Sequence, residues 1–551
     1  MRPLRFLIPV FCVFAVAVSP LWAQFNPERA YRQSDAVRQH YPDPAVRFGT
    51  PAFAPGKADF TSHAEMMDFI YALQRTSSNV HVRIVGASQE GRAIPMLILS
   101  NSGLSAAADL IRLNRPIVFL QGLQHGNEPA GGEVMLALAK DLANGPLKPL
   151  LDRITVIIMP RCNPDGAFYF TRTPARGIDV NRDHIKMDLP ETIALHRAIN
   201  EFQPEVFVDA HEFSVATRWL EKFNKILAYD LTLLYATNPN VPAALTALAE
   251  GVYRRNIVRE VERAGYTHFW YFTTSYDPAD KKVAMGGTSP DIGRNTSALQ
   301  NAISFLIETR GVGIGRAHYK RRVYTHLVAM HSMLDSAAAN AEALRTLGRT
   351  LRHEVSAAAG HGDLIVLGAS TPGRHVLDLL DPETGADKSV EVDWRSALEI
   401  QVRQKRARPF GYLLPATEAN AARRLAQLGV TVLRLTDDAP LAVERYRVTR
   451  AEEAKKEDVR RNDEDAGGSV VQIATVSEPA RVDAHAGDFY VPLDQPLGNV
   501  IAAALEPDTQ SSYAANRVLN LPAIEPGYTP YLPLYRVPSE FPARMTVWEG
   551  D

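Results

Sequence analysis

The stretch Pro116-Ile117-Val118-Phe119-Leu120, followed by Gln124-His125-Gly126-Asn127-Glu128, decides how this chain folds. Its first half is a short apolar run typical of a buried strand, and the helical pattern at 133–142 predicts a helix soon after it. His125 and Glu128, three positions apart on a strand-to-helix turn, can direct their side chains at one point. An imidazole nitrogen and a carboxylate oxygen suit zinc. Because a His-x-x-Glu pair often arises by chance, the pair by itself is only a hypothesis.

The same alternation of apolar runs and helical patterns continues along the chain. Further strands are predicted at 155–159, 206–208 and 303–307, and a further helix at 191–202. Continuous apolar runs that alternate with helices favour an α/β fold with a mostly parallel mixed sheet flanked by helices. Binding sites in such sheets lie at the carboxyl ends of the strands. Four polar side chains follow predicted strands, and we expect them at one edge of the sheet: His125, Asn163, His211 and Glu308.

The segment before this region predicts a helix and a hairpin. The pattern Ser62-His63-Ala64-Glu65 is typical of a capped helix start. Apolar or alternating runs at 80–85 and 94–99, separated by a turn, predict two antiparallel strands. Residues 24–61 have no clean periodicity and are predicted to form an irregular leader.

Length and composition limit the possible classes of protein. At 551 residues the chain is long enough for two or more domains, because single hydrophobic cores stop growing near ~250–300 residues. Charged residues make up 22% of the chain and the formal net charge is -2. This balance provides no electrostatic basis for binding nucleic acid, and we expect no such partner.

The N-terminus has the pattern of an export signal. Arg2 and Arg5 precede the apolar run 6–18, and cleavage is expected after Ala23. That run is shorter than the ~20 residues that a membrane span requires, and no later segment approaches this length, so no span is expected in the mature chain. An uncleaved N-terminal anchor remains an alternative, because Leu21 and Trp22 depart from an ideal cleavage site.

Cysteine usage indicates the compartment. Cys12 would leave with the signal segment, so the mature chain would retain only Cys162 and no internal disulfide. An exported protein without disulfides suits a bacterial periplasm. Cys162 itself is expected to be a buried apolar side chain rather than a nucleophile.

His211 is the best candidate for a third metal ligand. It lies in the stretch Val208-Asp209-Ala210-His211-Glu212, after an apolar run. Together with His125 and Glu128 it gives two histidines and one carboxylate, which leaves the fourth position of one zinc ion per chain open to water. A catalytic zinc requires that open position, since it lowers the pKa of the water toward ~7 and polarises a carbonyl.

A set of motifs in one order resembles the M14 (carboxypeptidase A-like) family of zinc metallocarboxypeptidases. The resemblance covers roughly residues 62–334 and implies an α/β sheet with flanking helices and hydrolysis of C-terminal peptide bonds. Each motif is weak alone, but the order is specific. The motifs are His125-x-x-Glu128, Asn163-Pro164-Asp165-Gly166, Gly177-Ile178-Asp179-Val180-Asn181-Arg182-Asp183, His211 and Ile307-Glu308-Thr309-Arg310-Gly311.

The resemblance implies the roles at the metal. His125, Glu128 and His211 are the implied zinc ligands, and Glu308 is the implied general base acting on zinc-bound water. A carboxylate at that position can take a proton from water and deliver it to the departing amine. The alternative to a catalytic role is that Glu308 is a structural residue that forms an ion pair with Arg310.

The resemblance also implies contacts to a peptide substrate with a free C-terminal carboxylate. Asn181 and Arg182 are implied to bind that carboxylate, for which a guanidinium offers a planar fork. Arg172 resembles the arginine that stabilises the tetrahedral oxyanion, with Arg176 as a nearby competitor. Asp179 resembles the carboxylate that orients a zinc histidine, here His125.

The chain departs from the family pattern around the substrate. Asp183 stands where many members have Asn, and Tyr276 is the nearest candidate for the family's substrate-capping tyrosine. The loop 286–295 occupies the region that lines the side-chain pocket in relatives. Asp291 in this loop can favour basic residues and Arg294 can favour acidic ones, and the sequence does not choose between them.

Three functions are compatible with these motifs. The first is an exported zinc metallocarboxypeptidase. The second is a zinc amidohydrolase of the succinylglutamate desuccinylase or aspartoacylase type, which also favours His-Gly-Asn-Glu, although export and the motif at 163–166 favour the peptidase. The third is a non-catalytic module that binds zinc or peptide, against which Glu308 argues, because a binding protein needs no base beside the metal.

The domain organisation follows from changes in sequence texture. We predict a signal peptide at 1–23, the leader at 24–61, the zinc carboxypeptidase catalytic domain at 62–335, a helical spacer at 336–359, and a smaller C-terminal accessory α/β domain at 360–551. The dense run of charges at 451–465 is expected to be a solvated helix or flexible loop. The accessory domain shows no chemistry of its own and is expected to shape the substrate cleft or dock a partner.

Overall fold

The computed structural model describes residues 25–456, 469–522, 530–541 and 543–550. The predicted signal peptide at 1–23 therefore lies outside the described residues. Within these ranges the strands are β1 (Val80–Ala87), β2 (Ala93–Leu99), β3 (Ile117–Gly122), β4 (Thr155–Met159), β5 (Val206–Ser214), β6 (Ile226–Leu227), β7 (Leu231–Tyr235), β8 (His268–Trp270), β9 (Phe272–Thr274), β10 (Lys282–Met285), β11 (Ile303–Val312), β12 (Asp363–Leu380), β13 (Asp387–Ala407), β14 (Gly411–Leu414), β15 (Leu433–Leu435), β16 (Ala439–Lys455), β17 (Ser469–Ala484), β18 (Phe489–Pro492), β19 (Tyr531–Val537) and β20 (Met545–Val547).

The helices alternate with these strands through the first two thirds of the chain. They are α1 (Asp35–Gln39), α2 (His63–Thr76), α3 (Ala107–Arg112), α4 (Pro129–Asn144), α5 (Pro164–Tyr169), α6 (Pro190–Phe202), α7 (Arg218–Phe223), α8 (Ala243–Leu248), α9 (Arg255–Arg263), α10 (Gly293–Leu299), α11 (Tyr319–Ala339), α12 (Ala341–Ala357), α13 (Ala419–Gln427) and α14 (Gly498–Leu505).

An eight-stranded mixed sheet forms the centre of the molecule, in the order β1-β2-β4-β3-β5-β11-β7-β8. The pairs β4–β3, β3–β5, β5–β11 and β7–β8 are parallel, whereas β1–β2, β2–β4 and β11–β7 are antiparallel. The predicted hairpin is present as β1 and β2, and Ser62 begins α2 with a capping box to Glu65. The predicted α/β fold with a mostly parallel mixed sheet is confirmed.

Helices cover both faces of this sheet. Successive residues of a strand point to opposite sides, so each face of the sheet packs against its own set of helices. On β3, Val118 and Leu120 pack into the core formed with α2, α4, α9 and α11. Ile117 and Phe119 point the other way and pack against α3 and α6. The continuous apolar run is thus explained by a strand that is buried on both faces.

Two strands continue past the ends that their apolar runs predict. β5 extends through His211 to Ser214, and β11 extends through Glu308 to Val312. The expectation that both residues follow a strand end is therefore wrong. The reason is that the parallel ladder between β5 and β11 depends on backbone hydrogen bonds, which continue where side chains become polar.

The long hairpin of β12 and β13 joins the C-terminal third of the chain to the central part. These strands belong to a five-stranded sheet in the order β6-β12-β13-β10-β9. β13 pairs in parallel with β10, and the end of β12 pairs with β6. The predicted boundary at residue 360 therefore falls just before a hairpin that hydrogen-bonds to strands of the region 62–335. The division into domains stays a prediction.

A third sheet, of seven strands, forms the C-terminal part in the order β17-β16-β19-β14-β18-β15-β20. Its core includes residues of α13 and α14 and also contacts Ile185, Met187 and Leu299 of the central part. β16 carries the charged run as far as Lys455, so its first residues form a strand rather than the expected helix or loop. The segment 457–468 lies outside the described residues.

The leader is more regular than the sequence predicts, whereas the spacer is helical as predicted. The leader contains the short helix α1, and its Val37 and Tyr41 are buried. The segment predicted as a helical spacer, 336–359, contains the end of α11 and all of α12, which meet at Asn340. No helix among the described residues has both the length and the apolar character needed to cross a membrane.

Candidate metal centre and substrate cleft

Three buried side chains converge next to the carboxyl end of β3: His125, Glu128 and His211. Oε1 of Glu128 lies 2.8 Å from Nδ1 of His125, and Oε2 lies 2.8 Å from Nδ1 of His211. The two Nδ1 atoms are 3.0 Å apart. His125 lies in the loop after β3, Glu128 is the N-cap residue of α4, and the neighbouring parallel strand β5 carries His211. Sequence reasoning predicted all three.

A carboxylate lies behind each of the two histidines. Nε2 of His125 lies 3.1 Å from Oδ1 of Asp179, as predicted for this aspartate, and Nε2 of His211 lies 2.8 Å from Oδ2 of Asp209. Sequence reasoning missed Asp209. The sequence did contain a signal for it, because Asp209 and His211 are two positions apart on a strand and such residues share a face. A carboxylate on Nε2 favours the tautomer whose Nδ1 lone pair faces the ligand cluster.

The buried charges of the cluster stabilise one another. Burial by itself would raise the pKa of Glu128, but the charges of His125 and His211 hold it below its usual value. Burial likewise opposes the charge on His211, yet Asp209 and Glu128 raise the pKa of that imidazole well above its ordinary value. Two nitrogens and a carboxylate that converge at these distances are the donor set of a zinc ion. The residues present therefore fit zinc.

The Asn163-Pro164-Asp165-Gly166 motif supports the loop that carries His125. Oδ1 of Asn163 accepts a hydrogen bond from N of Gly166 at 2.8 Å, and its Nδ2 donates to O of Gln124 at 3.2 Å. A Cβ on Gly126 would lie 1.8 Å from C of Gly166, so these backbones approach too closely for any side chain. The motif positions the metal loop and does not itself face the metal cluster.

Arg172 lies beside the ligand cluster. Its Nη2 donates to Oδ2 of Asp179 at 2.8 Å, and its Nη1 lies 3.2 Å from Nδ1 of His125 and 3.5 Å from Oε1 of Glu128. Arg172 and His125 together hold the pKa of Asp179 well below its usual range against the effect of burial. The competitor Arg176 is exposed, and its backbone N–H donates to Gln89. The structure thus brings Arg172, as expected, to the cluster.

Asn181 and Arg182 lie on a short turn directly after Asp179. The turn is held because Oδ1 of Asp179 accepts a hydrogen bond from N of Asn181 at 2.8 Å. Oδ1 of Asn181 accepts from N of Gly293 at 2.8 Å, and Nη1 of Arg182 donates to O of Asn181 at 2.7 Å. The first of these bonds connects the turn to α10. Both residues line the cleft next to the metal cluster.

Glu308 is the register partner of His211 on the neighbouring parallel strand. Its side chain is 7% exposed and lines the same cleft as His125 and Glu128. Arg310 does not hydrogen-bond to it. Within the described ranges no nitrogen of the Arg310 guanidinium has a hydrogen-bond partner, and the group lies 3.4 Å from the centroid of the Tyr41 ring. Glu308 is thus a buried carboxylate beside the candidate metal ligands.

The cleft has a volume of about 1340 Å³ and is walled partly by the C-terminal third of the chain. Residues 364–370 of β12 and 471–474 of β17 line it opposite the central sheet. The expectation that the accessory region shapes the cleft agrees with this arrangement. Tyr276 also lines the cleft, with the guanidinium of Arg218 4.3 Å from its ring centroid. A second tyrosine, Tyr271, lines it as well, and sequence reasoning missed that residue.

Asp183, the departure from the family pattern, is buried and does not face the substrate. Its oxygens accept hydrogen bonds from N of Asp188 at 3.0 Å and N of Leu189 at 2.9 Å. Burial raises the pKa of this carboxyl to about 6, although Lys186 acts in the opposite direction. Asp183 therefore shapes the loop between the turn at Val180–Arg182 and α6.

A mixed α/β sheet that brings three side chains able to hold a metal ion and a further carboxylate to one cleft is the arrangement of a metal-dependent hydrolase. The family model described as zinc carboxypeptidase matches residues 66–314. Carboxypeptidase 2 of Trichophyton equinum is 30% identical over 472 residues, which are 85% of this chain and 86% of that protein. A probable carboxypeptidase 2 of Trichophyton verrucosum is 31% identical over 402 residues, which are 72% of this chain and 77% of that protein. The chain belongs to the zinc carboxypeptidase family.

Membership confirms the predicted family and makes the protein a hydrolase that acts on peptide bonds. The amidohydrolase alternative is not favoured by these relatives. The match of 472 residues is too long to end at residue 314, so it includes part of the C-terminal region. Among solved structures, a metallo-carboxypeptidase from Pseudomonas aeruginosa in complex with (2-guanidinoethylmercapto)succinic acid is 18% identical with a TM-score of 0.38, covering 50% of this chain and 70% of that chain.

Proposed function

We propose that this protein is an exported zinc carboxypeptidase that removes the last residue of peptides, with one zinc per chain and Glu308 as the general base. The observation that carries the proposal is the placement of Glu308 directly across the β5–β11 pairing from His211, in the cleft that also exposes His125 and Glu128. This arrangement combines a metal donor set with a carboxylate that is not part of it. A binding module would have no need for the second carboxylate.

His125, Glu128 and His211 would hold the zinc ion. When bound, zinc supplies Lewis-acid chemistry, polarising the scissile carbonyl and lowering the pKa of water. Asp179 and Asp209 hold the two imidazoles in the tautomer that presents Nδ1 to the metal. The carboxylate ligand is held in turn by N of Glu212, which donates to Oε2 of Glu128 at 3.1 Å.

Two protein side chains near the metal site carry out proton transfer and stabilise the developing negative charge. Glu308 takes the proton from the attacking water and passes it to the nitrogen of the departing residue. Arg172, oriented by Asp179, donates to the oxygen of the scissile carbonyl as negative charge develops on it. Because Asp179 already holds the guanidinium of Arg172, little reorganisation of that side chain is needed during the reaction.

The turn with Asn181 and Arg182 binds the free carboxylate of the substrate. A guanidinium and an amide beside the metal cluster can hold a carboxylate through several hydrogen bonds. This anchor places the last peptide bond of the substrate next to Glu308 and makes the enzyme an exopeptidase. Tyr276 contributes to the cleft wall and closes over the bound residue.

Export rests on the N-terminal pattern of Arg2, Arg5 and the apolar run 6–18. Cleavage after Ala23 would give a mature chain that begins at Gln24. N-terminal sequencing of the protein recovered outside the cytoplasm of an expressing bacterium tests this part. A mature protein that still begins at Met1 would show that the segment is kept.

The catalytic proposal is tested with Glu308→Gln and a matched surface variant, Glu342→Gln on α12, whose side chain is exposed. We expect one zinc per chain in the wild type and in both variants. Hydrolysis of a blocked dipeptide should fall by about 10²–10⁴-fold in Glu308→Gln only, the range that general acid–base catalysis contributes. The same dipeptide with a C-terminal amide should resist the wild type.

The outcomes separate the parts of the proposal. Full activity of Glu308→Gln would refute the assignment of the base, and a protein without zinc would refute the whole site. Rapid cleavage of the amidated dipeptide would refute the carboxylate anchor. Hydrolysis of acylated amino acids alone, with no cleavage of peptides, would indicate the amidohydrolase instead.

A further inference from the structure

The loop 286–295 beside the cleft contains two buried residues of opposite charge, Asp291 and Arg294, in different surroundings. Asp291 is fully buried and forms an ion pair with Lys456, which lies at the end of β16. It also accepts a hydrogen bond from Oγ of Ser289 at 2.7 Å. The charge of Asp291 is therefore balanced within the protein and is not available to bind a basic residue of a substrate.

Arg294 has no such partner. Its side chain is 2% exposed, and none of the carboxylates in the described ranges is within ion-pairing distance of it. Nη2 donates to the carbonyl oxygen of Gly287 at 2.7 Å, and the buried Nε has no hydrogen-bond partner in the part of the chain that the structure describes. Burial lowers the pKa of Arg294 to about 10, so the group remains charged at neutral pH. A buried cation without a counter-ion is costly and gains from binding an anion.

The guanidinium of Arg294 lies where a substrate side chain would lie. It lines the cleft together with Arg182 and Glu308. Gly286 gives it room, because a Cβ at that position would lie 2.7 Å from Nη2 of Arg294. N of Gly293, the residue before it, donates to Asn181, so α10 is connected directly to the turn that binds the main-chain carboxylate. Two arginines thus face one small region of the cleft.

We propose that the enzyme selects peptides whose last residue carries a side-chain carboxylate, aspartate or glutamate, and that Arg294 is the residue that selects it. The inference rests on the proposed function, in which Arg182 binds the main-chain carboxylate. Arg294 then pairs with the side-chain carboxylate, which supplies the counter-ion that the described residues do not provide. A neutral or basic side chain in this position leaves that charge unpaired.

The test uses four blocked dipeptides that share the first residue and end in Glu, Gln, Lys or Phe. Glu and Gln have the same shape, so the ratio of their kcat/KM values isolates the carboxylate charge. We expect the kcat/KM of the wild type to be at least about tenfold higher for the Glu dipeptide than for the Gln dipeptide. A single buried hydrogen bond to a charged group is strong enough to give this ratio. Arg294→Gln should reduce this ratio to about one, and Arg294→Lys should give a ratio between the two.

A matched control is Arg395→Gln. Arg395 lines the same cleft from β13, and its Nη1 is bonded to the carbonyl of Trp394. This variant should keep the preference for Glu. Equal cleavage of the Glu and Gln dipeptides by the wild type would overturn the inference while leaving the proposed function intact. A uniform loss on all four substrates in Arg294→Gln would also overturn it, since Arg294 would then act on the main chain or on folding.

A binding experiment tests the inference without turnover. Glutarate carries two carboxylates and butyrate carries one, at similar length. Calorimetry should show that glutarate binds the wild type at least about tenfold more tightly than butyrate, and that Arg294→Gln loses this difference. Equal affinities in the wild type would count against the inference. If none of the four dipeptides is cleaved, the proposed function fails, and this measurement still decides whether the cleft selects a second carboxylate.

Discussion

Lys456 and Asp291 form a buried ion pair that connects the end of β16 to the loop before α10. Both side chains are at most 3% exposed. The same loop makes a second contact with the C-terminal part, where Oγ of Ser289 lies 2.6 Å from Oγ of Ser511. The C-terminal part is therefore attached at the wall of the substrate cleft.

Replacing Lys456 with Met should destabilise the protein by about 3–5 kcal/mol, because the carboxylate of Asp291 is left buried without its counter-ion. Denaturant unfolding followed by fluorescence measures this change. The double variant Asp291→Asn with Lys456→Met should recover much of the loss, since it removes both charges. An unfolding free energy of Lys456→Met equal to that of the wild type would contradict the prediction.

The two carboxylates behind the histidines should control zinc affinity. Asp179→Asn and Asp209→Asn should each weaken zinc binding by about 10–100-fold, because an amide no longer favours the tautomer that presents Nδ1. Competition with a chelator of known affinity gives the dissociation constants. Asp109→Asn, a change on the surface of α3, is the control. If Asp209→Asn binds zinc as tightly as the control, Asp209 has no role in positioning His211.

Arg172→Lys should lower kcat by about 10²–10³-fold, with a smaller effect on KM. A lysine has one charged nitrogen, so it cannot both contact Asp179 and donate to the developing oxyanion as the forked guanidinium can. Steady-state kinetics on one blocked dipeptide measures both parameters. A variant in which KM rises and kcat is unchanged would place Arg172 in ground-state binding instead.

The carboxyl of Asp183 should make stability depend on pH. Its pKa is raised from 3.8 to about 6 in the folded protein, so the native state holds a proton that the unfolded chain releases at lower pH. Between these values the native state binds more protons, and the stability that this group contributes falls as pH rises. Lowering the pH from 7 to 4 should therefore stabilise the wild type relative to Asp183→Asn by about 2–3 kcal/mol.

This difference is measured by denaturant unfolding of both proteins at each pH. The comparison isolates Asp183, because all other titrating groups are shared. A constant difference between the two proteins across this range would show that Asp183 has an ordinary pKa. A difference that moves in favour of Asp183→Asn at low pH would contradict the sign.

The local features of the fold could be predicted from the sequence. The capping box at Ser62, the hairpin of β1 and β2, and the buried strands β3 and β4 all follow from periodicity and capping chemistry, which act over a few residues. The ends of β5 and β11 could not be predicted in this way. An apolar run indicates which part of a strand is buried, but it does not show where the backbone pairing ends. The hydrogen-bonded ladder between these two strands continues through the polar residues His211 and Glu308.

Contacts between distant segments were beyond the reach of local patterns. Nothing near residue 360 indicates that β13 pairs with β10. The choice between Asp291 and Arg294 also depended on such a contact, because Lys456, 165 positions further along the chain than Asp291, neutralises one of the two. A charge in a sequence shows which ligands it can bind, and only its neighbours in space show whether it is already paired.

By itself, the sequence determined the family, and it predicted the three candidate metal ligands and the candidate base, because the spacing and order of these residue types reflect chemistry that tolerates few substitutes. The tertiary structure alone decided which carboxylate supports His211, which wall residue keeps its charge, and how the C-terminal part meets the cleft. These depend on the low-polarity interior, where a buried charge is stable only beside a partner and that partner comes from anywhere in the chain.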